Sequence, residues 1–286
     1  MADAISLNGG DTVSSEISAE EYFSIDAVNQ SLIKQILRSP AHAELYIKHG
    51  IKTTPAMEFG TAVHATVLNP FNFDNEVAVK PENINRRTKA GKEEYAQWSL
   101  KNANKAHIDT EQSAACISIA HKISLNETAT SLLLGAKCEQ SYLWRDKDTS
   151  TTCKARVDIV NEDKKVIADL KTTVDASPEG FARTVVKFGY HIQAAFYLRA
   201  VSGYSKAVKA CDKGWEFSII AVESGRPHGV ACYKLDKRAI EEGDYLIDKG
   251  LRKWLEATVL NQYNSYPDVM TELSLPKWAL TSEEDS

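Results

Sequence analysis

The chain has 286 residues, a net charge of -5, and 43% hydrophobic and 26% charged residues, a composition typical of a globular protein with a sizeable core. No apolar run approaches the roughly 18 residues of a membrane span, and no basic segment followed by an apolar one marks a secretory signal, so we expect no membrane association. The five cysteines are scattered without a C-x-x-C pair. This disfavours zinc ribbons and four-cysteine iron–sulfur clusters and indicates a reducing cytoplasm.

The charge is unevenly distributed along the chain. Residues 1–25 contain five acidic and no basic side chains, and three more acids follow Thr281. Removing these eight negative charges from the net charge of -5 leaves +3 for residues 26–280. Such a mildly basic body is compatible with nucleic-acid binding but does not indicate it by itself. We predict a disordered acidic tail over residues 1–22, one domain over 23–280, and an acidic tail over 281–286.

Helical patterns dominate the first half. "SIDAVNQSLIKQILRSP" has apolar residues at helical spacing, and a second helix is predicted to start with Ser39 as its N-cap and Pro40 in its first turn. "AMEFGTAVHATVLNP" predicts a helix that ends before Pro70, and "FDNEVAVKP" predicts a short strand. The basic loop "NRRTKAGK" leads into a helix at about Gly91, and residues 110–134 are predicted to be helical.

Strands dominate the middle of the chain. "KCEQSYLWRD" alternates as a strand, and "CKARVDIVNEDKKVIADLKTT" predicts a hairpin from Cys153 to Thr173. One or two helices, the strands "GWEFSIIAVES" and "HGVACYKLD", and a long helix over 236–261 follow, with "LSLPKW" as a C-terminal docking segment. This order predicts one α/β domain with a central mixed β-sheet flanked by helices.

The hairpin carries charges where a buried strand should be apolar. If "EDKK" forms its loop, Asn161 pairs with Val166, Asp158 lies opposite Asp169, and Lys171 joins them on one face. Two carboxylates roughly 5 Å apart repel unless a cation lies between them, and oxygen ligands suit Mg²⁺ or Mn²⁺. The alternative is an ordinary surface hairpin with a solvated Asp169–Lys171 pair.

These motifs together resemble the PD-(D/E)XK nuclease superfamily. "ARVDIV" and "IADLKTT" supply its Asp and its D-x-K element. The RecB-like branch adds G-x-x-x-H, matched by Gly60 and His64, and Q-x-x-x-Y, matched by Gln193 and Tyr197. The three motifs occur in the expected order. The resemblance implies a restriction-endonuclease-like α/β core.

Further segments are similar to the RecE (exodeoxyribonuclease VIII) type of phage and prophage exonuclease. These are "LIKQILRSPAHAELYI", "TPAMEFGTAVHATVLNP", "RRTKAGKEEY" and "LSLPKWA", so the similarity runs from about Ser24 to Ala279. It implies a RecE-like nuclease domain that degrades linear duplex DNA from its ends, 5′ to 3′, and leaves 3′ single strands for recombination. It also implies a single-strand annealing protein as a partner and assembly of the chain into a homo-oligomeric ring. Family members are often the C-terminal part of a longer chain, whereas this chain is nearly all nuclease. We therefore expect none of the properties that additional domains would supply.

The resemblance also implies a role for each matched residue. Lys171 would orient or activate the attacking water. His64 would bind the metal directly or through water, or else be a satisfied core histidine. The Q-x-x-x-Y pair would orient the lysine or contact the scissile phosphate, or simply pack the helix. The implied metal ligands are Asp158, Asp169, the Leu170 carbonyl and His64, and the implied catalytic residues are Lys171, Asp158, Asp169, Gln193 and Tyr197.

Several basic residues are candidates for DNA contact. The loop before Gly91 would track the DNA backbone, although a solvated charged face is the alternative. The helix start at Ser39, beside Arg38, would bind a terminal 5′ phosphate. Lys154 and Arg156 are equally compatible with DNA contacts and with strand-edge charges. The predicted DNA-binding residues are Arg86, Arg87, Lys89, Lys92, Arg38, Ser39 and Arg156.

Three functions compete on this sequence. The first is a Mg²⁺-dependent exonuclease acting on duplex DNA ends. The second is a structure-specific or single-strand endonuclease of the same superfamily. The third is a DNA-binding module with a degenerate active site. The intact Asp158, Asp169 and Lys171 disfavour it, because an inactive site has no need to keep three charges that are costly to bury.

Overall fold

The computed structural model describes residues 13–15, 17 and 19–275. Helices dominate the first part of the described chain, and three consecutive strands follow in its middle. The strands are β1 (Val13–Ser15), β2 (Val77–Val79), β3 (Ala106–Ile108), β4 (Lys137–Arg145), β5 (Thr152–Asn161), β6 (Val166–Thr173), β7 (Glu216–Glu223) and β8 (Val230–Lys234). The helices are α1 (Ala19–Ser24), α2 (Gln30–Arg38), α3 (Pro40–His49), α4 (Pro55–Leu68), α5 (Phe73–Glu76), α6 (Lys89–Lys101), α7 (Thr110–Ser124), α8 (Glu127–Leu133), α9 (Pro178–Phe188), α10 (Tyr190–Ser202), α11 (Ala207–Asp212) and α12 (Lys237–Leu260), with a 3-10 turn at Pro70–Asn72.

Within the described residues, the central sheet has six strands in the order β1-β4-β5-β6-β7-β8. Strands β6 and β7 are parallel and the other neighbours are antiparallel, so the sheet is mixed. Strands β2 and β3 form a separate parallel pair. The predicted α/β fold with a central mixed sheet flanked by helices is confirmed. No helix in the described part is both long and apolar enough to cross a membrane.

Helices cover both faces of the sheet. One hydrophobic cluster joins the sheet to α2, α9, α10 and α12, and the other joins it to α4, α7 and α8. Strand β6 contributes Ile167 to the first cluster and Ala168 and Leu170 to the second. Because side chains alternate along a strand, Asp169 and Lys171 face α10, beneath the first group of helices.

The β5–β6 hairpin has the predicted loop and register. Asn161 pairs with Val166, and the ladder continues to Ile159 opposite Ala168. The next step is different, because the Leu170 N–H donates to the Asp158 carboxylate at 3.0 Å rather than to a strand carbonyl. A buried backbone donor needs a partner, and here a side chain supplies it where the two strands separate. The predicted pairing is therefore confirmed up to the residue at which the charged cluster begins.

A buried ion-pair network fixes helix α10 against α12. Arg199 of α10 is only 2% exposed, and its guanidinium lies 2.6 Å from Asp244 and 3.0 Å from Asp248, both on α12. Asp244 also accepts the backbone N–H groups of Ala207 and Val208 at the start of α11. Breaking a buried pair of this kind typically costs several kcal/mol because one charge remains uncompensated. The network therefore holds α10 in a fixed position beside the sheet.

Several predicted boundaries differ from the structure. The predicted tail over residues 1–22 includes β1 and most of α1, because β1 finds a pairing edge on β4. Helix α2 begins at Gln30 rather than near Ser24, since Asn29 caps it and Val28 instead bridges to Cys153. The predicted helix over 110–134 is two helices. Strand β3 and helix α11 had no prediction. The second half of the docking segment "LSLPKW" and the whole tail over 281–286 lie outside the described residues.

Candidate active site

The two aspartates and the lysine of the hairpin form a buried cluster. Asp169 is fully buried and Asp158 is 9% exposed. Lys171 Nζ lies 2.5 Å from Asp169 Oδ2. The other carboxylate oxygen of Asp169 accepts a hydrogen bond from Gln193 Nε2 at 2.6 Å. An ordinary surface hairpin would leave this ion pair in water, so the burial argues against that alternative.

His64 enters the cluster from helix α4, on the opposite face of the sheet. Its Nε2–H donates to the Leu170 carbonyl at 2.6 Å, and its Nδ1 lies 3.5 Å from Asp158 Oδ2. Burial, together with the charge of Lys171, lowers the pKa of His64, so the ring is neutral at pH 7. A neutral ring that donates through Nε2 has its lone pair on Nδ1, directed toward the carboxylates. The Leu170 carbonyl retains its second lone pair.

Glu139 of strand β4 is a third carboxylate in this cluster, and it was not predicted. Ligand atoms of His64, Glu139 and Asp158 all lie within 4.8 Å of one another. Glu139 has a positive φ of 56°, and the strand pairs on either side of it place it opposite Asp158. Arg156 Nε donates to Glu139 Oε2 at 2.8 Å. Counting back along the β4–β5 ladder would have found Glu139, but only with the length of the connecting loop known.

The cluster holds more acidic than basic groups. Burial, with the neighbouring Asp169, raises the pKa of Asp158 to about 8. Burial, with the neighbouring Asp158, also raises the pKa of Glu139. Burial opposes the charge of Lys171, but Asp169 and Asp158 outweigh it and raise the pKa of that ammonium. Three carboxyl groups therefore face one ammonium and the guanidinium of Arg156, and part of the negative charge is suppressed by protonation.

The donor set fits a divalent cation. Asp169 Oδ2 is buried and has Lys171 as its charge partner, but it makes no well-directed hydrogen bond. Carboxylate oxygens, a backbone carbonyl and one imidazole nitrogen converge on the same place. Oxygen-rich donor sets of this kind suit Mg²⁺ and Mn²⁺. The residues that would hold such an ion are Asp158, Asp169, Glu139, His64 and the Leu170 carbonyl.

Gln193 and Tyr197 lie on one face of α10, beneath Asp169. Both side chains are buried. Burial raises the pKa of Tyr197 well above its usual range, so the hydroxyl is neutral. Since Gln193 donates directly to Asp169, it orients the carboxylate rather than the lysine. Contact of either side chain with a phosphate would require them to leave this buried position.

The basic loop lies on the surface before helix α6. Arg86, Arg87, Lys89 and Lys92 are exposed, and the guanidinium of Arg86 lies 4.0 Å from the centroid of the Tyr95 ring. Thr88 caps the helix, and a Cβ on residue 91 would lie 1.9 Å from the Asn85 carbonyl, so this turn requires glycine. The loop thus has a defined backbone that presents its cations to solvent.

The predicted phosphate pocket at Ser39 is not formed. Ser39 is fully buried, and its hydroxyl is shared between the backbone N–H and the ring Nδ1 of His42. The N–H of Ala41 donates to the Asn264 carbonyl, and Pro40 has none. The donors at this helix start are already used, so Ser39 is a capping residue. Arg38 beside it remains exposed.

The two basic residues of strand β5 have structural partners. Lys154 is buried, and its ammonium donates to the carbonyls of Tyr22 and Ile25. Arg156 is held by Glu139 and by Ser141 Oγ. The prediction that Arg156 contacts DNA is therefore not supported. Its place in the cluster is to compensate the charge of Glu139.

Comparisons with known proteins identify the family and the fold of this chain. The sequence model of a family described as "PDDEXK-like domain of unknown function (DUF3799)" matches residues 29–262. A solved structure from Eubacterium rectale, described as a "putative exonuclease", is 12% identical, with a TM-score of 0.60, and covers 87% of this chain and 89% of that chain. A phage-related exonuclease from Haemophilus somnus 129PT is 13% identical, with a TM-score of 0.35, and covers 82% and 96% of the two chains. No curated protein matches.

Proposed function

This chain belongs to the PDDEXK-like DUF3799 family, and we propose that it is a metal-dependent exonuclease that degrades linear double-stranded DNA from its ends. The convergence of His64, Asp158, Asp169 and Lys171 at the open end of the β5–β6 hairpin carries the proposal. These side chains come from two strands and a helix on the opposite face. A chance surface ion pair would not assemble them in one buried cluster.

The reaction follows from the donors at the cluster. A divalent cation bound there would lower the pKa of a coordinated water and polarise a phosphoryl oxygen. Asp158 and Asp169 would hold it, and Gln193 would keep Asp169 oriented through the bond at 2.6 Å. His64 would offer Nδ1, fixed by the Nε2–H bond to the Leu170 carbonyl. Mg²⁺ is the proposed ion, with Mn²⁺ as the substitute.

Lys171 is the group proposed to act on the attacking water. Its ammonium lies beside Asp169 and is partly accessible, with 18% of the side chain exposed. An ammonium at this position would donate to the water and keep its lone pair directed at the phosphorus. The water oxygen would form the new bond to phosphorus and give up one proton to solvent, the bond to the 3′ oxygen would break, and that oxygen would take up one proton from solvent. The products are a 5′ phosphate and a 3′ hydroxyl.

The exposed basic loop supports DNA as the substrate, and the choice of duplex DNA comes from the resemblance to RecE-type exonucleases. Arg86, Arg87, Lys89 and Lys92 would neutralise backbone phosphates without reading sequence. Polarity from 5′ to 3′, a 3′ single-stranded product used in recombination, a single-strand annealing partner, a ring-shaped homo-oligomer and a cytoplasmic location belong to the proposal through the resemblance to RecE-type exonucleases. A structure-specific or single-strand endonuclease with the same cluster is the second candidate.

Digestion of two DNA substrates tests the proposal. Purified protein is incubated with end-labelled linear duplex and with covalently closed circular duplex, with Mg²⁺ or with EDTA. We expect loss of the linear substrate only, and only with Mg²⁺. The matched control is Asp158→Asn, which keeps the shape of the side chain and removes one carboxylate ligand. Cleavage of the closed circle would favour the endonuclease, and binding of DNA without cleavage would favour the degenerate module.

A further inference from the structure

An aromatic ring lies under the ammonium of the lysine that the proposed mechanism uses. Lys171 Nζ is 4.9 Å from the ring centroid of Tyr190, the first residue of α10. A cation at this distance from the face of an aromatic ring is attracted by the ring quadrupole, and more strongly when it is partly desolvated. Lys171 is largely buried, so this contact acts on a desolvated cation.

The Tyr190 ring is itself held in place. It stacks on Phe188 with centroids 5.8 Å apart and packs against Phe181 at 6.2 Å. Gly189 between α9 and α10 has a φ of 65°, a left-handed conformation that makes the turn tight. Lys34 of α2 donates to the Phe188 carbonyl at 3.0 Å, which ties this turn to a third helix. The ring is therefore a fixed surface.

Residues of one turn of α10 contact both members of the Asp169–Lys171 ion pair. Gln193 donates to Asp169, and Tyr190, three residues earlier on the same face of the helix, lies against Lys171. Asp169 and the Tyr190 ring differ as partners of the Lys171 ammonium. A cation bound by Asp169 would weaken the attraction between the Asp169 carboxylate and the Lys171 ammonium, and it would also repel the ammonium. The ring face is a partner for which such a cation does not compete.

We propose that Tyr190 is a positioning residue that holds the Lys171 ammonium through the face of its ring while Asp169 is engaged by a divalent cation. This inference rests on the proposed nuclease function, in which Lys171 acts on the attacking water. The hydroxyl of Tyr190 has no part in it. Phenylalanine should therefore replace tyrosine, and an aliphatic side chain should not.

A set of three variants separates the ring from the packing around it. Tyr190→Phe keeps the ring and Tyr190→Leu removes it but stays apolar. Phe188→Leu keeps an apolar side chain packed against Tyr190 and removes a ring that contacts Lys187 rather than Lys171. We expect Tyr190→Leu to lower kcat about 10-fold with KM for DNA ends within about 2-fold. Tyr190→Phe and Phe188→Leu should stay within about 3-fold of wild-type kcat. Equal losses in all three variants, or full kcat in Tyr190→Leu, would overturn the proposal.

A second readout does not depend on cleavage. In protein with ¹³C-labelled lysine and EDTA, the ε-methylene signal of Lys171, assigned with Lys171→Met, should be shifted upfield by the ring current in wild type and Tyr190→Phe. The shift should vanish in Tyr190→Leu. Lys154, 4.9 Å from the Tyr22 ring centroid, is the internal reference and should keep its shift in every variant. No shift at Lys171 in wild type refutes the contact. An inactive wild type that shows the shift would refute the nuclease function while leaving the contact in place.

Discussion

Replacing Asp158 with asparagine should stabilise the metal-free protein at neutral pH. The carboxyl is 9% exposed, and burial with Asp169 nearby raises its pKa from 3.8 to about 8. A carboxyl whose pKa is higher in the folded than in the unfolded state favours folding at low pH, and this contribution is lost as the pH rises between the two values. At pH 7 the ceiling on the cost is about 4 kcal/mol, since each pKa unit corresponds to about 1.4 kcal/mol.

Asparagine removes this cost and keeps an oxygen that can accept the Leu170 N–H. Because relaxation of the folded state reduces the ceiling, we expect Asp158→Asn to be about 2 kcal/mol more stable than wild type at pH 7. The difference should shrink toward pH 4 and level off above pH 8. Asp169→Asn is the matched contrast: it leaves the Lys171 ammonium without its partner at 2.5 Å and should destabilise by roughly 3–5 kcal/mol.

Urea unfolding in EDTA at several pH values between 4 and 8.5, followed by tryptophan fluorescence, measures these differences. Adding Mg²⁺ should stabilise wild type by about 2.7 kcal/mol at 100 times its dissociation constant, and Asp158→Asn much less. If Asp158→Asn is no more stable than wild type at pH 7, or if the difference between the two proteins is independent of pH, the pKa of Asp158 is not raised in the folded protein.

Three other perturbations address the cluster and the loop. Lys171→Met should lower the cleavage rate by roughly 10²–10⁴-fold and leave DNA binding in Ca²⁺ unchanged. Lys171→Arg should be equally slow, because a planar guanidinium does not fit a 2.5 Å contact with a buried carboxylate. An active Lys171→Met enzyme would show that the ammonium has only a structural role. Glu139→Gln should weaken Mg²⁺ binding by roughly 10–100-fold in calorimetry, and unchanged affinity would exclude Glu139 as a ligand. Neutralising Arg86, Arg87 and Lys89 together should reduce the salt dependence of DNA binding by about three counterions, whereas an unchanged slope would make the loop a solvated face.

The hairpin could be predicted because its information is local. The charged loop fixes the register, and the period of two then places Asp169 and Lys171 on the same face. Glu139 could not be found this way, because its position depends on a second hairpin whose loop was not specified and on a backbone with positive φ. The Ser39 cap was predicted, but the contact of the neighbouring Ala41 N–H with the distant Asn264 carbonyl depends on tertiary packing. Spacing predicted which residues share a face, and packing decided which of them remain available.

The residues of the cluster differ greatly in their separation along the chain. Asp158 and Leu170 are 12 residues apart, Asp169 and Gln193 are 24 apart, and His64 and Leu170 are 106 apart. The hairpin can therefore form with only the two aspartates, whereas the imidazole joins after a long loop closes. A chain still emerging from the ribosome, with α10 not yet synthesised, lacks the side chain that orients Asp169. The complete cluster therefore exists only after α10 has been synthesised and has packed against the sheet.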